Sequence, residues 1–122
     1  MTQVLRVAGV GAGYFSQFHY NSWQRIDRVD LTGVCDTDLA KAESIAPDRA
    51  FAVVSDMLSA TETDLVDIIT PPASRMAVVE AVAAAGLPMI VQKPLADDLM
   101  GAQEIARVAR RAGVAMLVHE NF

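Results

Sequence analysis

The run Arg6-Val7-Ala8-Gly9-Val10-Gly11-Ala12-Gly13-Tyr14-Phe15-Ser16 sets three alternating glycines directly after an apolar segment, and few folds accept that order. Residues 5–10 are nearly all apolar and rich in β-branched side chains, as a strand buried on both faces requires. In the register Gly11-x-Gly13-x-x-Ser16, Gly11 permits a tight turn off the strand. Gly13 removes the side chain where backbone must approach a pyrophosphate, and Ser16 keeps the third position small so that the next helix packs close to the strand. The first amides of that helix then point unpaired N–H groups at the anion. A glycine-rich turn by itself is equally a loop that needs positive φ. The strand before it and the acidic residue that closes the next strand favour a dinucleotide cradle.

That acidic residue is Asp36. Residues 29–35 read as a second strand, and a carboxylate at its carboxyl end is placed to accept hydrogen bonds from both adenosine ribose hydroxyls while repelling a 2′-phosphate. Positions 37 and 38 are Thr37 and Asp38, so neither offers a counter-charge for that phosphate, and the sequence favours NAD over NADP. The structural alternative is that Asp36 caps the helix beginning near Asp38, a task that Thr37 or Asp38 can also fill.

The rest of the chain alternates in the same way. Helices are expected over 14–26, 38–46, 73–85 and 98–112, with a short helical piece from Ser55 capped by that serine. Strands are expected over 50–54, 64–70, 89–91 and 114–118. Phe15, Phe18, Ser22 and Ile26 share one face of the first helix beside Trp23. His19, on the same helix, is read as packed or capping rather than facing a ligand. Met76, Val79, Val82 and Ala83 form the inward face of the 73–85 helix. Leu99, Ala102, Ile105, Ala106 and Ala109 do so for the 98–112 helix, and Gly86 and Gly113 end the two. Six strands alternating with helices predict an α/β, doubly wound parallel sheet in the order 3-2-1-4-5-6, a Rossmann fold occupying residues 1–122 as one domain.

Composition narrows the function. The chain has 122 residues, 52% of them hydrophobic, and a net charge of −5, which argues against nucleic acid or an anionic membrane surface as partner. Arg107, Arg110 and Arg111 lie near Glu104 on a helix face and read as a solvated surface. Cys35, the single cysteine, allows no internal disulfide and reads as a buried, inert thiol. The first strand begins almost at the N-terminus and no apolar run reaches bilayer length, so a cytoplasmic protein is expected. His19 and His119 are the only histidines and have no cysteine pair beside them, so no metal site is expected.

In a doubly wound sheet the ligand lies across the carboxyl ends of the strands, at the switch point between the first and fourth. Residues 11–15, Asp36, Thr70-Pro71-Pro72, Gln92-Lys93-Pro94 and residues 119–122 occupy those ends. Lys93 stands between a strand end and a proline. It is placed to donate to a hydroxyl losing hydride or to the cofactor ribose; the plain alternative is an exposed lysine after a strand. Gln92 either bonds the nicotinamide side or simply ends the strand.

Taken together, the run from Val7 to His19, the strand-ending Asp36, the Thr70-Pro71-Pro72 turn, the Gln92-Lys93-Pro94 segment and the closing His119-Glu120-Asn121-Phe122 resemble the N-terminal domain of the Gfo/Idh/MocA oxidoreductases. The resemblance covers essentially the whole chain. It implies that Gly11, Ala12, Gly13, Tyr14 and Phe15 surround the pyrophosphate and that Asp36 holds the adenosine ribose. Thr70, Pro71 and Pro72 would flank the cofactor, with Gln92 and Asn121 also at the cofactor site. Lys93 corresponds to the family's active-site lysine in its Glu-Lys-Pro motif.

Three departures stand out: Gln92 replaces the glutamate before that lysine, Arg75 replaces a histidine often found after the Thr-Pro-Pro turn, and Ser16 replaces the third glycine. A fourth is length, because family members carry a second, largely β-sheet domain that supplies the substrate pocket and the oligomer interface, which this sequence lacks. The expectation is therefore the nucleotide-binding domain of an NAD-dependent oxidoreductase acting on a secondary alcohol of a sugar, cyclitol or related polyol. Alone it would bind cofactor without efficient turnover. The alternative is a stand-alone NAD(H)-binding or redox-sensing module, and a homo-oligomer formed through the apolar surface left by the second domain is a third reading.

Overall fold

A computed structural model describes residues 3–120. Its elements run β1 (Leu5–Val10), α1 (Ser16–Gln24), β2 (Val29–Cys35), α2 (Leu39–Ile45), β3 (Ala50–Phe51), α3 (Val54–Ala60), β4 (Leu65–Ile68), a single 3-10 turn (Pro72–Ser74), α4 (Arg75–Ala84), β5 (Met89–Gln92), α5 (Leu99–Ala112) and β6 (Met116–His119). The six strands form one sheet in the order β3-β2-β1-β4-β5-β6, every pair parallel, as the alternation predicts.

Packing divides between the two faces of this sheet. On one, Val10, Val66, Ile68, Met89 and Val91 meet Met57 of α3, Val79 and Val82 of α4, and Ile105 of α5. On the other, Leu31 and Val34 meet Tyr20 of α1 and Ala42 of α2. That second cover stops short of β6, where Leu117 is 67% exposed.

Several boundaries differ from expectation, each for a local reason. The third strand is only Ala50–Phe51, because two residues suffice to pair with Val34 and Cys35 before the chain turns into α3. Val53, extended and without a side-chain cap, stands at the start of α3, so Ser55 lies inside the helix rather than capping it. The last strand begins at Met116 rather than 114. The Val114 amide is spent on the Ala109 carbonyl, closing α5 around left-handed Gly113. Leu99 is exposed at the first turn of α5, while Ile105 and Ala109 are buried.

The largest correction concerns α1, which starts at Ser16 and turns a different face inward. Ser16 and Tyr20 are buried, whereas Phe15, Phe18 and Ile26 are substantially exposed. Gly9 is the reason: a Cβ there would fall 2.2 Å from the Tyr20 ring, so the bare strand lets the phenol lie flat on β1. The Tyr20 hydroxyl donates to the Gly11 carbonyl at 2.7 Å, pinning helix to turn. The helix thus carries two apolar stripes, and the aromatic one stays on the surface, where Phe15 and Phe18 pack on one another at 5.4 Å between rings.

Candidate functional site

The glycine turn is fixed by backbone that no other residue could supply. Gly11 has φ +108°, and a Cβ there would lie 2.3 Å from the Ile69 carbonyl oxygen. Its own N–H donates to the Cys35 carbonyl at 2.7 Å, extending the ladder one residue past β1. Gly13 has open space where its side chain would be, with no atom within 4 Å. Ser16 is buried and donates its hydroxyl to the Gly13 carbonyl at 2.5 Å, which closes the turn against the start of α1.

Asp36 belongs to this turn as much as to β2. One carboxylate oxygen accepts the Ala12 N–H at 2.8 Å and the other accepts the Asp38 N–H at 2.8 Å. The cap of α2 is Asp38, whose side chain accepts from the Ala40 N–H, so Asp36 is released from that role.

Across the switch point, two turns are tied together by one side chain. Arg75, 1% exposed at the start of α4, donates from Nη1 to the carbonyls of Gln92 (2.7 Å), Pro94 (2.5 Å) and Leu95 (3.3 Å). Its Nη2 donates to the Thr70 carbonyl and its Nε reaches the Thr70 hydroxyl at 3.5 Å. Every acceptor is neutral. Burial pushes the guanidinium pKa down, although an arginine keeps its charge in a protein. The Lys93 N–H is held by the Gln92 side-chain oxygen at 2.9 Å and by the His119 carbonyl at 3.3 Å. Lys93, half-buried, is therefore presented from a backbone fixed on both sides.

These pieces line a single cavity of about 630 Å3, within the range of roughly 300–1,000 Å3 usual for small-molecule and cofactor sites. Gly11, Gly13, Phe15, Asp36, Thr70, Pro71, Pro72 and Lys93 are on its wall. Ala12 is buried behind the turn, Tyr14 points outward at 79% exposure, and Gln92 is buried with its amide oxygen turned to Lys93 and to His119 Nδ1, 3.0 Å away. Asn121 lies outside the described residues. A dinucleotide fits what is here: an open glycine where phosphate needs close approach, a carboxylate at the end of β2, and Lys41, Arg75 and Lys93 as cations around it. In a chain of net charge −5, three cations against one carboxylate make this concavity the natural seat of an anion. Cys35 also lines it, with its thiol pushed up to about 11, chiefly by burial and then by Asp36 and Asp56, so it stays protonated at neutral pH.

Two features escaped the sequence reading. Lys41, in the first turn of α2, reaches the same cavity as Asp36, beyond the two positions that directly follow the carboxylate. Asp67 lies 1% exposed in the middle of β4. One of its oxygens meets His19 Nδ1 and accepts from the Trp23 indole, both at 2.8 Å. An aspartate inside an otherwise apolar strand, with His19 and Trp23 four apart on one helix, was the signal available. His19 is thus a packed histidine, as expected, and its ring lies 4.8 Å from that of His119. Among the described residues no group of three or more His, Cys, Asp or Glu side chains is gathered to hold a metal. No helix there is long and apolar enough to cross a membrane.

The comparisons with known proteins bear on this geometry. The family model described as an oxidoreductase family with an NAD-binding Rossmann fold, GFO_IDH_MocA, matches residues 5–120. A D-apiose dehydrogenase of Paraburkholderia graminis is 38% identical over 99% of this chain, which spans 34% of that protein's length. The crystal structure of an oxidoreductase from Agrobacterium radiobacter, in complex with NAD+, L-tartaric acid and magnesium, is 30% identical. It superposes with a TM-score of 0.89 over 97% of this chain and 36% of its own. The WlbA dehydrogenase of Bordetella pertussis, in complex with NADH and UDP-GlcNAcA, is also 30% identical, with a TM-score of 0.85 over 96% of this chain and 37% of its own. The switch-point cavity, the glycine turn with its carboxylate and the match from strand to strand lead to one assignment: the chain belongs to the Gfo/Idh/MocA oxidoreductase family, as its NAD-binding Rossmann domain.

Proposed function

We propose that this chain is the cofactor half of a dehydrogenase that moves hydride between NAD and a secondary alcohol of a sugar, cyclitol or related polyol, working in the cytoplasm where it draws on the dinucleotide pool. The observation that carries the reading is the cavity itself, which runs from Asp36 past Gly11 and Gly13 to Thr70 and Lys93 along the ends of β2, β1, β4 and β5. Asp36 would hold the adenosine ribose hydroxyls and, by its charge, disfavour a 2′-phosphate, giving NAD preference over NADP. The glycine turn would seat the pyrophosphate, with Gly11, Ala12, Gly13, Tyr14 and Phe15 around it. Thr70, Pro71, Pro72 and Lys93 would flank the nicotinamide half, with Gln92 at its margin.

When bound, the nicotinamide ring supplies the hydride acceptor or donor. In the reducing direction Lys93 would donate a hydrogen bond to the substrate carbonyl oxygen and stabilise the negative charge that grows there as hydride arrives at carbon. Arg75 and Gln92 keep the Lys93 backbone in place through the Gln92 carbonyl and amide. The substrate half of the site belongs to a second domain, for which the relatives have length to spare: the chain spans about a third of them. That domain would cover the exposed Phe18 and Leu117 surface and carry the oligomer interface. Without it nothing holds a substrate in position, and efficient turnover is not expected.

The test is to add NAD+ with inositol or apiose to the purified chain and follow NADH formation, while NADH binding is followed separately by its fluorescence. Binding with negligible turnover fits the proposal. Rapid polyol oxidation by this chain alone would contradict the division of labour, and failure to bind NADH would contradict the cofactor assignment.

A further inference from the structure

Gln92 and His119 stand opposite one another where β5 and β6 end, so their side chains leave the same face of the sheet. The Gln92 amide oxygen meets two groups there, the Lys93 N–H at 2.9 Å and His119 Nδ1 at 3.0 Å. A main-chain N–H can only donate, which identifies the atom it faces as the amide oxygen rather than the amide nitrogen. That oxygen carries no proton, so the proton between it and His119 belongs to Nδ1. His119 also holds Lys93 through its own carbonyl, which accepts the same N–H at 3.3 Å in the last rung between the two strands.

The His119 ring is held from its other side as well. The ring of His19 lies against it, 4.8 Å between centroids, and His19 is fixed in turn by Nδ1 on the buried Asp67 carboxylate at 2.8 Å. The Trp23 indole donates to the same Asp67 oxygen at 2.8 Å. His119 is thus set between the Gln92 amide and a ring braced by α1 and β4. We propose that His119, locked by Gln92 as the Nδ1–H imidazole, is a positioning residue for Lys93. The proposal rests on the cofactor reading above, in which Lys93 flanks the nicotinamide half, and adds a residue that sets where Lys93 stands. Its effect is confined to that half, because the glycine turn and Asp36 would hold the pyrophosphate and adenosine without it.

Two measurements test this. Nitrogen-15 spectra of the histidine rings in mildly alkaline solution, where imidazoles are neutral, show His119 protonated at Nδ1, and Gln92→Leu releases it to a mixture with the Nε2–H form. Calorimetric titration with NADH and with ADP-ribose, which lacks the nicotinamide, reads the positioning. His119→Leu lowers NADH affinity about three- to tenfold, the net worth of one hydrogen bond, and keeps ADP-ribose affinity within about twofold of wild type. His119→Asn recovers most of that loss, because its amide N–H takes the place of Nδ1–H. In a Lys93→Met background His119→Leu costs nothing further, since it acts through Lys93. A merely structural role would weaken NADH and ADP-ribose together, and that result overturns the proposal. So does an NADH affinity that His119→Leu leaves unchanged, a loss that His119→Asn fails to recover, or one that persists without Lys93. An Nε2–H ring in the wild-type chain overturns it too, a test that needs no variant to fold. Failure of the wild-type chain to bind either ligand overturns the cofactor reading and the positioning role with it, whereas the ring spectrum tests the Gln92 lock by itself, so the two failures are told apart.

Discussion

The carboxylate of Asp36 and the main-chain N–H of Ala12 meet at 2.8 Å, joining the end of β2 to the glycine turn after β1 across 24 residues of sequence. Ribose recognition and turn geometry are thereby one unit, since the group that would hold the ribose also fixes the loop that would hold the phosphates. A charge-assisted bond of this kind is stronger than a neutral one. Removing the side chain therefore loosens the cradle as well as stripping it of its acceptor.

The two glycines of the turn should fail in different ways. Gly11→Ala places a Cβ against the Ile69 carbonyl at positive φ and should cost about 2–4 kcal/mol of stability. Gly13→Ala meets no protein atom, so thermal unfolding should stay near wild type while NADH affinity falls, because the new methyl occupies space meant for the ligand. Melting curves paired with NADH titrations check both. An equal loss of stability in the two variants would contradict this division.

Lys41 lines the same cavity as Asp36, and on the proposed reading it would give that cavity a latent affinity for a 2′-phosphate that Asp36 suppresses. In an Asp36→Ala background NADPH binding should improve, and adding Lys41→Ala should remove roughly two- to fivefold of that gain, as expected for an exposed charge. NADPH titrations of the single and double variants measure it. An unchanged NADPH affinity on loss of Lys41 would remove this residue from the account.

Acid should expose the staple between β1 and β4. Asp64 accepts from the main chain and guanidinium of Arg6 at 2.9 and 3.1 Å, and these hydrogen bonds hold its carboxyl below the usual range. A depressed folded-state pKa stabilises the fold above the unfolded value of about 3.9, and the contribution is lost as pH falls through the folded value. The melting-temperature advantage of wild type over Asp64→Asn should therefore be present at neutral pH and close in strong acid. An advantage that persists in acid would show that the pair does not act through ionisation.

Strand order and the glycine turn were legible in the sequence because they depend on local rules. Alternation fixes the parallel topology, and Gly11 stands where positive φ is required. The inward face of α1 was not, since it depends on Gly9 making room for Tyr20, a contact between two elements that periodicity within either cannot reveal. Phe15 and Phe18 form the more apolar stripe and still face outward. Arg75 was visible only as a departure from a family pattern. Its burial beneath four carbonyls follows from how two turns distant in sequence converge. Lys41 was not legible because one helical turn carries it back to the cavity from beyond Thr37 and Asp38.

The central claim is that Asp36 and the glycine turn form an NAD site, and calorimetric titration of the chain with NADH and NADPH, repeated on Asp36→Ala, tests it most directly. The account predicts tighter binding of NADH than of NADPH in the wild-type chain, with Asp36→Ala weakening NADH and shifting preference toward NADPH. Absence of binding by either dinucleotide at millimolar concentration, or a preference that Asp36→Ala leaves unchanged, would contradict it.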